Sequence, residues 1–298
     1  MQREYSREDI EYVMKFLSTG KNVVRLVDPM SELVLDSNGI PIQGALCNNV
    51  WGHGHRCENC SSLRALQTEE TIYKMEFNRD RVYWITSRFV IVEGHPCILE
   101  VVADTTDYFI IESTQLEEVG KVIEGYNHQL ITDALTGALN RNYLDKVFIP
   151  SLEFRQTHNI PVHIALIDLD EFKSINDTYG HNAGDVVLSD VGGFWKRKFD
   201  SRSKNEERVI VRYGGDEFIA IDCKNTFEDF QKNVEGWYER MRKTSYLGEG
   251  SFIPFSMSIG FASTTETGDW NWDNLFKRAD ERMYAQKQAH HALISSET

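Results

Sequence analysis

Two short acidic segments have residue types and spacing suited to chemistry on phosphate: Asp168 with Asp170, and Asp216 with Glu217. The first, Asp168-Leu169-Asp170-Glu171-Phe172-Lys173, closes an apolar run that begins at Val162. Side chains alternate along a strand, so Asp168 and Asp170 point the same way while Leu169 turns to the core. The second, Tyr213-Gly214-Gly215-Asp216-Glu217-Phe218, follows Val209, Ile210 and Val211 and precedes Ile219, Ala220 and Ile221, which reads as strand, glycine turn, strand. Glycine at both turn positions, 214 and 215, would permit positive φ and let phosphates approach the backbone. One carboxylate from each segment would hold magnesium, a hard cation that prefers carboxylate, carbonyl, water and phosphate oxygens. Either segment alone also reads as a solvated strand end or an ordinary surface hairpin. The same device on two strands weighs toward a site.

From Thr132 onward the elements that must position these residues alternate. The pattern predicts helix over 142–148, strand over 162–169, helix over 184–199, the hairpin at Gly214, helix over 226–243, strand over 255–262 and helix over 272–289. That order gives an α/β domain with a mainly antiparallel sheet rather than a Rossmann fold. No Gly-x4-Gly-Lys-Ser/Thr loop is present, so phosphates must be held another way.

The first half reads differently. Ser6 caps a helix over 5–18 with Ile10, Val13, Met14 and Leu17 on one face. Short strands over 22–27 and 32–35, a helix over 61–67 and longer strands over 72–77, 82–92 and 97–103 follow. Leu116, Val119, Ile123, Tyr126 and Leu130 then step by three and four, the seam of a two-stranded coiled coil. An amphipathic helix packed on its own domain is the other reading of that stretch. Cys47, His53, His55, Cys57 and Cys60 form a second chemical cluster, with a Cys-x2-Cys pair suited to zinc. Iron, a thiol redox switch and plainly buried cysteines remain open alternatives.

A chain of 298 residues suits two domains with ample core. A net charge of -14 opposes an extended nucleic-acid surface, so any nucleotide ligand is expected to be small. Five cysteines without an export signal point to reduced thiols or metal ligands rather than disulfides. No run approaches the about 18 to 20 apolar residues of a membrane span, so a cytoplasmic protein with no membrane partner is expected.

Five motifs now fall into order. They are Asp133-Ala134-Leu135-Thr136-Gly137-Ala138-Leu139-Asn140-Arg141; Asp168 to Lys173 with Asn176-Asp177, Tyr179-Gly180-His181 and Gly184-Asp185; Arg212 to Phe218; Ser256 to Gly260; and Ala279-Asp280 with Met283-Tyr284 and Lys287. This series resembles the GGDEF family of diguanylate cyclases across 132–290. The resemblance implies condensation of two GTP into cyclic di-GMP and two pyrophosphates, a nucleotidyltransferase reaction. Each domain would hold one GTP, and the site would form where two domains of a homodimer face each other. It implies Mg2+ or Mn2+ at Asp168, the Leu169 carbonyl and Asp216, with Glu217 in support and Asp216 helping to deprotonate the attacking 3′-hydroxyl. By the same resemblance Lys173 and Lys287 bring positive charge to the triphosphate, Asn176 and Asp185 read guanine, and His181 stands beside the nucleotide. The physical need is general: a hydroxyl of high pKa must lose its proton while charge builds on an α-phosphate.

Two departures stand out. Many members carry an Arg-x-x-Asp inhibitory site just upstream of the hairpin, where this chain has Asn205-Glu206-Glu207-Arg208. The arginine four residues after the closing lysine is replaced by His291, which follows His290. The N-terminal element order resembles a PAS-like sensor. The expected organisation is α+β with two domains: a PAS-like sensor over 1–106 carrying the Cys/His cluster and regulating the cyclase, a linker helix over 107–131, and a GGDEF domain over 132–298.

Overall fold

Ser6 does what its position predicts. It follows the short strand β1 (Glu4–Tyr5), and its hydroxyl accepts the Asp9 N–H at 3.2 Å to start helix α1 (Arg7–Leu17). The computed structural model describes residues 3–51, 57, 59–78, 80–108, 113–199, 208–244 and 255–296, with backbone alone at 113–116, 243–244 and 291–296. These form two units, 1–131 with 145–151 and 132–144 with 152–298.

In the first unit β1 joins β2 (Val23–Asp28), β3 (Leu33–Leu35), β4 (Pro41–Leu46), β5 (Thr71–Asn78), β6 (Arg81–Val92) and β7 (His95–Asp104). They make a seven-stranded sheet in the order β1-β6-β7-β2-β3-β4, with β5 also paired to β6. Alternation sends Val90, Val92, Cys97 and Leu99 to one face, where Ile10, Val13, Met14 and Leu17 of α1 pack. Phe89 and Ile98 take the other face, against Ala65 of α2 (Ser61–Thr68). The sequence pattern misses β4, because Pro41, Ile42, Gln43 and Gly44 are all exposed and leave no alternation to read.

Helix α3 (Ser113–Gln129) packs on β5. A Cβ on Gly120 would stand 2.4 Å from the Phe77 ring, so only glycine lets the helix settle there. Asn127 donates to the Met75 carbonyl at 3.0 Å and accepts from Asn59 at 3.1 Å. Of the expected coiled-coil seam, Ile123 is buried within its own unit while Tyr126 is exposed, and Tyr126 and Val122 are the exposed apolar residues of α3 among the described residues. The Leu116 side chain lies outside the described residues.

The second unit begins with β8 (Leu139–Asn140) and α4 (Arg141–Tyr143). Asn140 caps α4 by accepting the Tyr143 N–H at 3.0 Å. Where one helix was expected over 142–148, α4 is a single turn that passes into a π-helical turn, Leu144–Phe148. Then come α5 (Leu152–Thr157), β9 (His163–Leu169), α6 (Phe172–Tyr179), α7 (His181–Phe199), β10 (Arg208–Gly214), β11 (Glu217–Asp222) and α8 (Phe227–Thr244). Strand β12 (Met257–Ser263), α9 (Thr264–Thr267) and α10 (Trp272–Ser296) complete the unit. The sheet order is β12-β9-β11-β10-β8, antiparallel except where β8 meets β10.

Strand β9 is buried along its whole length, which explains the continuous apolar stretch from Ile164 to Ile167 within it. Ala165, Ile167 and Leu169 pack with Val191 and Trp195 of α7 and Phe230 and Val234 of α8. Leu166 and its partner Gly260 take the other face, where α10 lies so close that a Cβ on Gly260 would stand 1.9 Å from the Ala279 carbonyl. The edge strand β12 is closed by side chains. Tyr238 and Gln286 accept the Met257 and Ile259 N–H groups at 2.9 and 2.7 Å, and Arg282 donates to the Phe261 carbonyl at 2.6 Å. No helix among the described residues is long and apolar enough to cross a membrane.

Candidate active site

Asp168, next to last in β9, is in register with Glu217 of β11 and Ser258 of β12, so the three side chains share the face that carries α10. Gly214 pairs with Glu217, which leaves Gly215 and Asp216 as the two turn residues. The expected glycine turn is therefore shifted by one residue. Gly214 lies in β10, and Gly215 alone takes a positive φ, 36°. The Asp216 carbonyl accepts the Leu169 N–H at 3.4 Å and ties the tip to the end of β9.

Arg212 braces this tip. Its Nε and Nη2 donate to the Gly215 carbonyl at 3.0 and 2.7 Å, and its Nη1 donates to both Asp133 carboxylate oxygens at 3.0 and 3.1 Å. Asp133 is itself fixed by the Thr136 N–H and hydroxyl at 2.9 and 2.7 Å. Burial opposes ionisation of Asp133, but the Thr136 and Arg212 hydrogen bonds outweigh it and hold the carboxyl below its ordinary range. Sequence reasoning found both motifs and missed their connection, since nothing local signals a contact across 79 positions.

Lys287 of α10 donates to Asp168 Oδ1 at 2.6 Å. Burial works against its charge, yet the Asp168 hydrogen bond and the charges of Asp168, Asp216 and Asp170 raise its pKa above the ordinary lysine value. Burial pushes the Asp216 carboxyl up, and the Asp168 charge adds to this. Glu217 is pushed up by burial and then by Asp168, Asp216 and Asp280. These carboxylates thus repel one another with Lys287 as the ammonium set against them, a charge imbalance that a divalent cation would relieve. Among the described residues no three His, Cys, Asp or Glu side chains form a ready-made metal cage. Magnesium does not require one, because it binds through one or two carboxylates plus water and phosphate oxygens.

Asp170 points to the same side as Asp168 but is already occupied. Ser258 donates to Oδ1 at 2.6 Å, and Ser256 and His290 Nδ1 donate to Oδ2 at 2.6 and 2.9 Å. Burial raises its pKa, but these three hydrogen bonds prevail and keep the carboxyl below its usual range. His290 is a residue that sequence reasoning passed over in favour of His291. Its readable signal is the three-residue spacing from Lys287, which puts both on one helix face. The His291 side chain lies outside the described residues.

The expected nucleotide-reading residues sit on α6 and α7. Lys173 is exposed in the first turn of α6, and Asn176 follows three residues later on the same face. A Cβ on Gly184 would stand 2.0 Å from Asn176 Oδ1, so glycine is what lets the amide lie against α7. Asp185 is the next residue, exposed, and His181 is exposed at the start of the same helix.

In the first unit, Cys60 caps α2, with its sulfur accepting the Leu63 N–H at 3.4 Å. Burial pushes the Cys47 thiol up to about 12 and the Cys57 thiol well above its ordinary value. Such thiols are poor nucleophiles. His53 and His55 lie outside the described residues.

A family model described as diguanylate cyclase, GGDEF domain, matches residues 130–292. Diguanylate cyclase DosC of Escherichia coli (strain K12) is 33% identical over 162 residues, 54% of this chain and 34% of its own length. Diguanylate cyclase DgcP of the same strain is 31% identical over 192 residues, 64% of this chain and 54% of its own length. Response regulator PleD of Caulobacter vibrioides is 34% identical over 162 residues, 53% of this chain and 34% of its own. The chain therefore spans about a third to a half of the length of these curated relatives. Among solved structures, the coiled coil and GGDEF domain of DgcB from Caulobacter crescentus, in complex with c-di-GMP, shares the fold. Its TM-score is 0.52 at 24% identity, covering 59% of this chain and 91% of that one.

Proposed function

The chain belongs to the GGDEF family of diguanylate cyclase domains, and from that premise we propose that it condenses two GTP molecules into cyclic di-GMP and two pyrophosphates. The observation that carries this reading is the meeting of Asp168, Glu217 and Lys287 on one sheet face beside Asp216 at the hairpin tip. Each 3′-oxygen attacks the α-phosphorus of the opposite GTP, the bond to the pyrophosphate oxygen breaks, and the hydroxyl proton passes to a carboxylate. The family resemblance assigns that role to Asp216 at the hairpin tip, and burial and the Asp168 charge raise its proton affinity in keeping with it. Asp168, the Leu169 carbonyl and Asp216 would hold Mg2+ or Mn2+, with Glu217 in support. Their hard oxygen donors and mutual repulsion fit such an ion, which when bound neutralises charge on the phosphates. Lys287 and Lys173 add fixed positive charge for the triphosphate. Asn176 and Asp185 select guanine, whose N1 and N2 hydrogens adenine lacks on that edge, and His181 borders the nucleotide.

Each chain supplies one GTP, so turnover needs a second copy. Val122 and Tyr126, exposed on α3, are the apolar residues of that helix available to a dimer contact among the described residues. The first unit is read as a PAS-like sensor over 1–106 with α3 as its output helix, working in the cytoplasm. Zinc or iron at Cys47, Cys57 and Cys60 would need His53 or His55 as a further ligand. Stoichiometric metal in the purified chain, lost in Cys57→Ser, supports that site, and a metal-free chain opposes it. For the cyclase reading, the test is product formation from GTP and Mg2+ that disappears in Asp216→Ala.

A further inference from the structure

The last turns of α10 carry an interaction that this chemistry does not use. Lys287 and His290 lie three residues apart on one helix face, while Asp168 and Asp170 lie two apart on one side at the end of β9. Three helical residues advance about 4.5 Å and two strand residues about 6.6 Å, so both pairs can close at once. They do: Lys287 meets Asp168 at 2.6 Å and His290 meets Asp170 at 2.9 Å. Asp170 already accepts the Ser256 and Ser258 hydroxyls on its two oxygens, and a carboxylate bonded in this way also accepts from the imidazole, so His290 Nδ1 carries the hydrogen of this bond. Asp170 is a firm anchor. It is 6% exposed, takes the Ser256 and Ser258 hydroxyls, and donates its own N–H to the Ser256 carbonyl at 2.9 Å.

We propose that His290 is a positioning residue for Lys287. Held on Asp170, it fixes the helical turn that carries the lysine and so sets where the ammonium meets Asp168 and an incoming triphosphate. This rests on the GTP reading. The experiment is calorimetric binding of a non-hydrolysable GTP analogue with Mg2+ to the full chain and to His290→Ala, His290→Asn and His290→Gln, with melting temperatures recorded in parallel. Asparagine places an N–H where Nδ1 stands, whereas glutamine carries it out toward the Nε2 position.

The expected result is affinity reduced about tenfold in the Ala and Gln variants, recovered in Asn, with similar melting temperatures throughout. In turnover the same ordering appears in KM more than in kcat. Equal affinity in all four proteins overturns the proposal, as does a loss that follows melting temperature without recovery in Asn. A wild-type chain that binds no analogue defeats the GTP reading first and this inference with it. Normal wild-type binding with indifferent variants defeats the positioning role alone.

Discussion

At the scale of single residues, the site is a problem of like charges held close. Asp168 and Glu217 face each other across two strands, and Asp216 sits at the adjoining tip. Asp216→Asn keeps the shape and removes the proposed base, so turnover should fall by about a thousandfold or more while GTP binding persists. Steady-state rates paired with calorimetry check this. Asp185 makes the sharper claim about substrate. A site built to hydrogen-bond its ligand rejects an analogue lacking the partner by about 10⁴, so Asp185→Ala should erode the preference for GTP over ATP in kcat/KM by about a hundredfold. Unchanged discrimination would place guanine recognition elsewhere. These carboxylates were legible in the sequence because acidic residues at strand ends break an apolar pattern. The direction of Asp170 was legible as well, but its partners were not, since spacing along a strand does not reveal Ser256, Ser258 and His290 arriving from other elements.

At the scale of elements, close approaches made by glycine hold the site in shape. Gly260→Ala would drive a methyl into the Ala279 carbonyl and lift α10, with Lys287 on it, from the sheet. The expected cost is about 3 kcal/mol, measured as a lower denaturant midpoint. His163 makes a second prediction. Buried at the start of β9, it donates from Nε2 to the Asn225 carbonyl at 3.0 Å and accepts the Ser263 hydroxyl at Nδ1 at 2.6 Å. Burial lowers its pKa, so below about pH 6.5 the unfolded chain takes up a proton that the fold refuses. Stability is therefore full above that pH and declines as pH falls. His163→Gln, which keeps the Nε2 donor, should show a shallower decline between about pH 7 and 5 in thermal melts. Most elements were legible from periodicity and caps: Ser6 for α1, the apolar run for β9, the glycine hairpin. Others were not read: the short helices α5, α6 and α9 and the two-residue strands β1 and β8 are too brief for a period to show. Strand β4 lies exposed at a sheet edge and has no alternation, and the α4 helix turns π-helical within a segment of ordinary helical composition. In α3 the heptad spacing is real, but Gly120 and Asn127 let one side of the helix settle on β5, which spacing alone does not distinguish from a partner helix.

At the scale of the whole molecule, the proposed reaction joins two GTP molecules while each chain is proposed to hold one, so the proposal calls for two chains. Turnover per chain should rise with protein concentration, and added Asp216→Ala chain should depress wild-type activity by forming mixed pairs. A rate per chain that is independent of both would remove the dimer from the account. With Asn205-Glu206-Glu207-Arg208 in place of Arg-x-x-Asp, added cyclic di-GMP should not inhibit through that site. The most direct measurement is mass-resolved product analysis after incubating the purified full chain with GTP and Mg2+, beside its Asp216→Ala variant. The account predicts cyclic di-GMP with two pyrophosphates for each product molecule in the wild type and none in the variant. GTP bound but left unchanged at every protein concentration would contradict it.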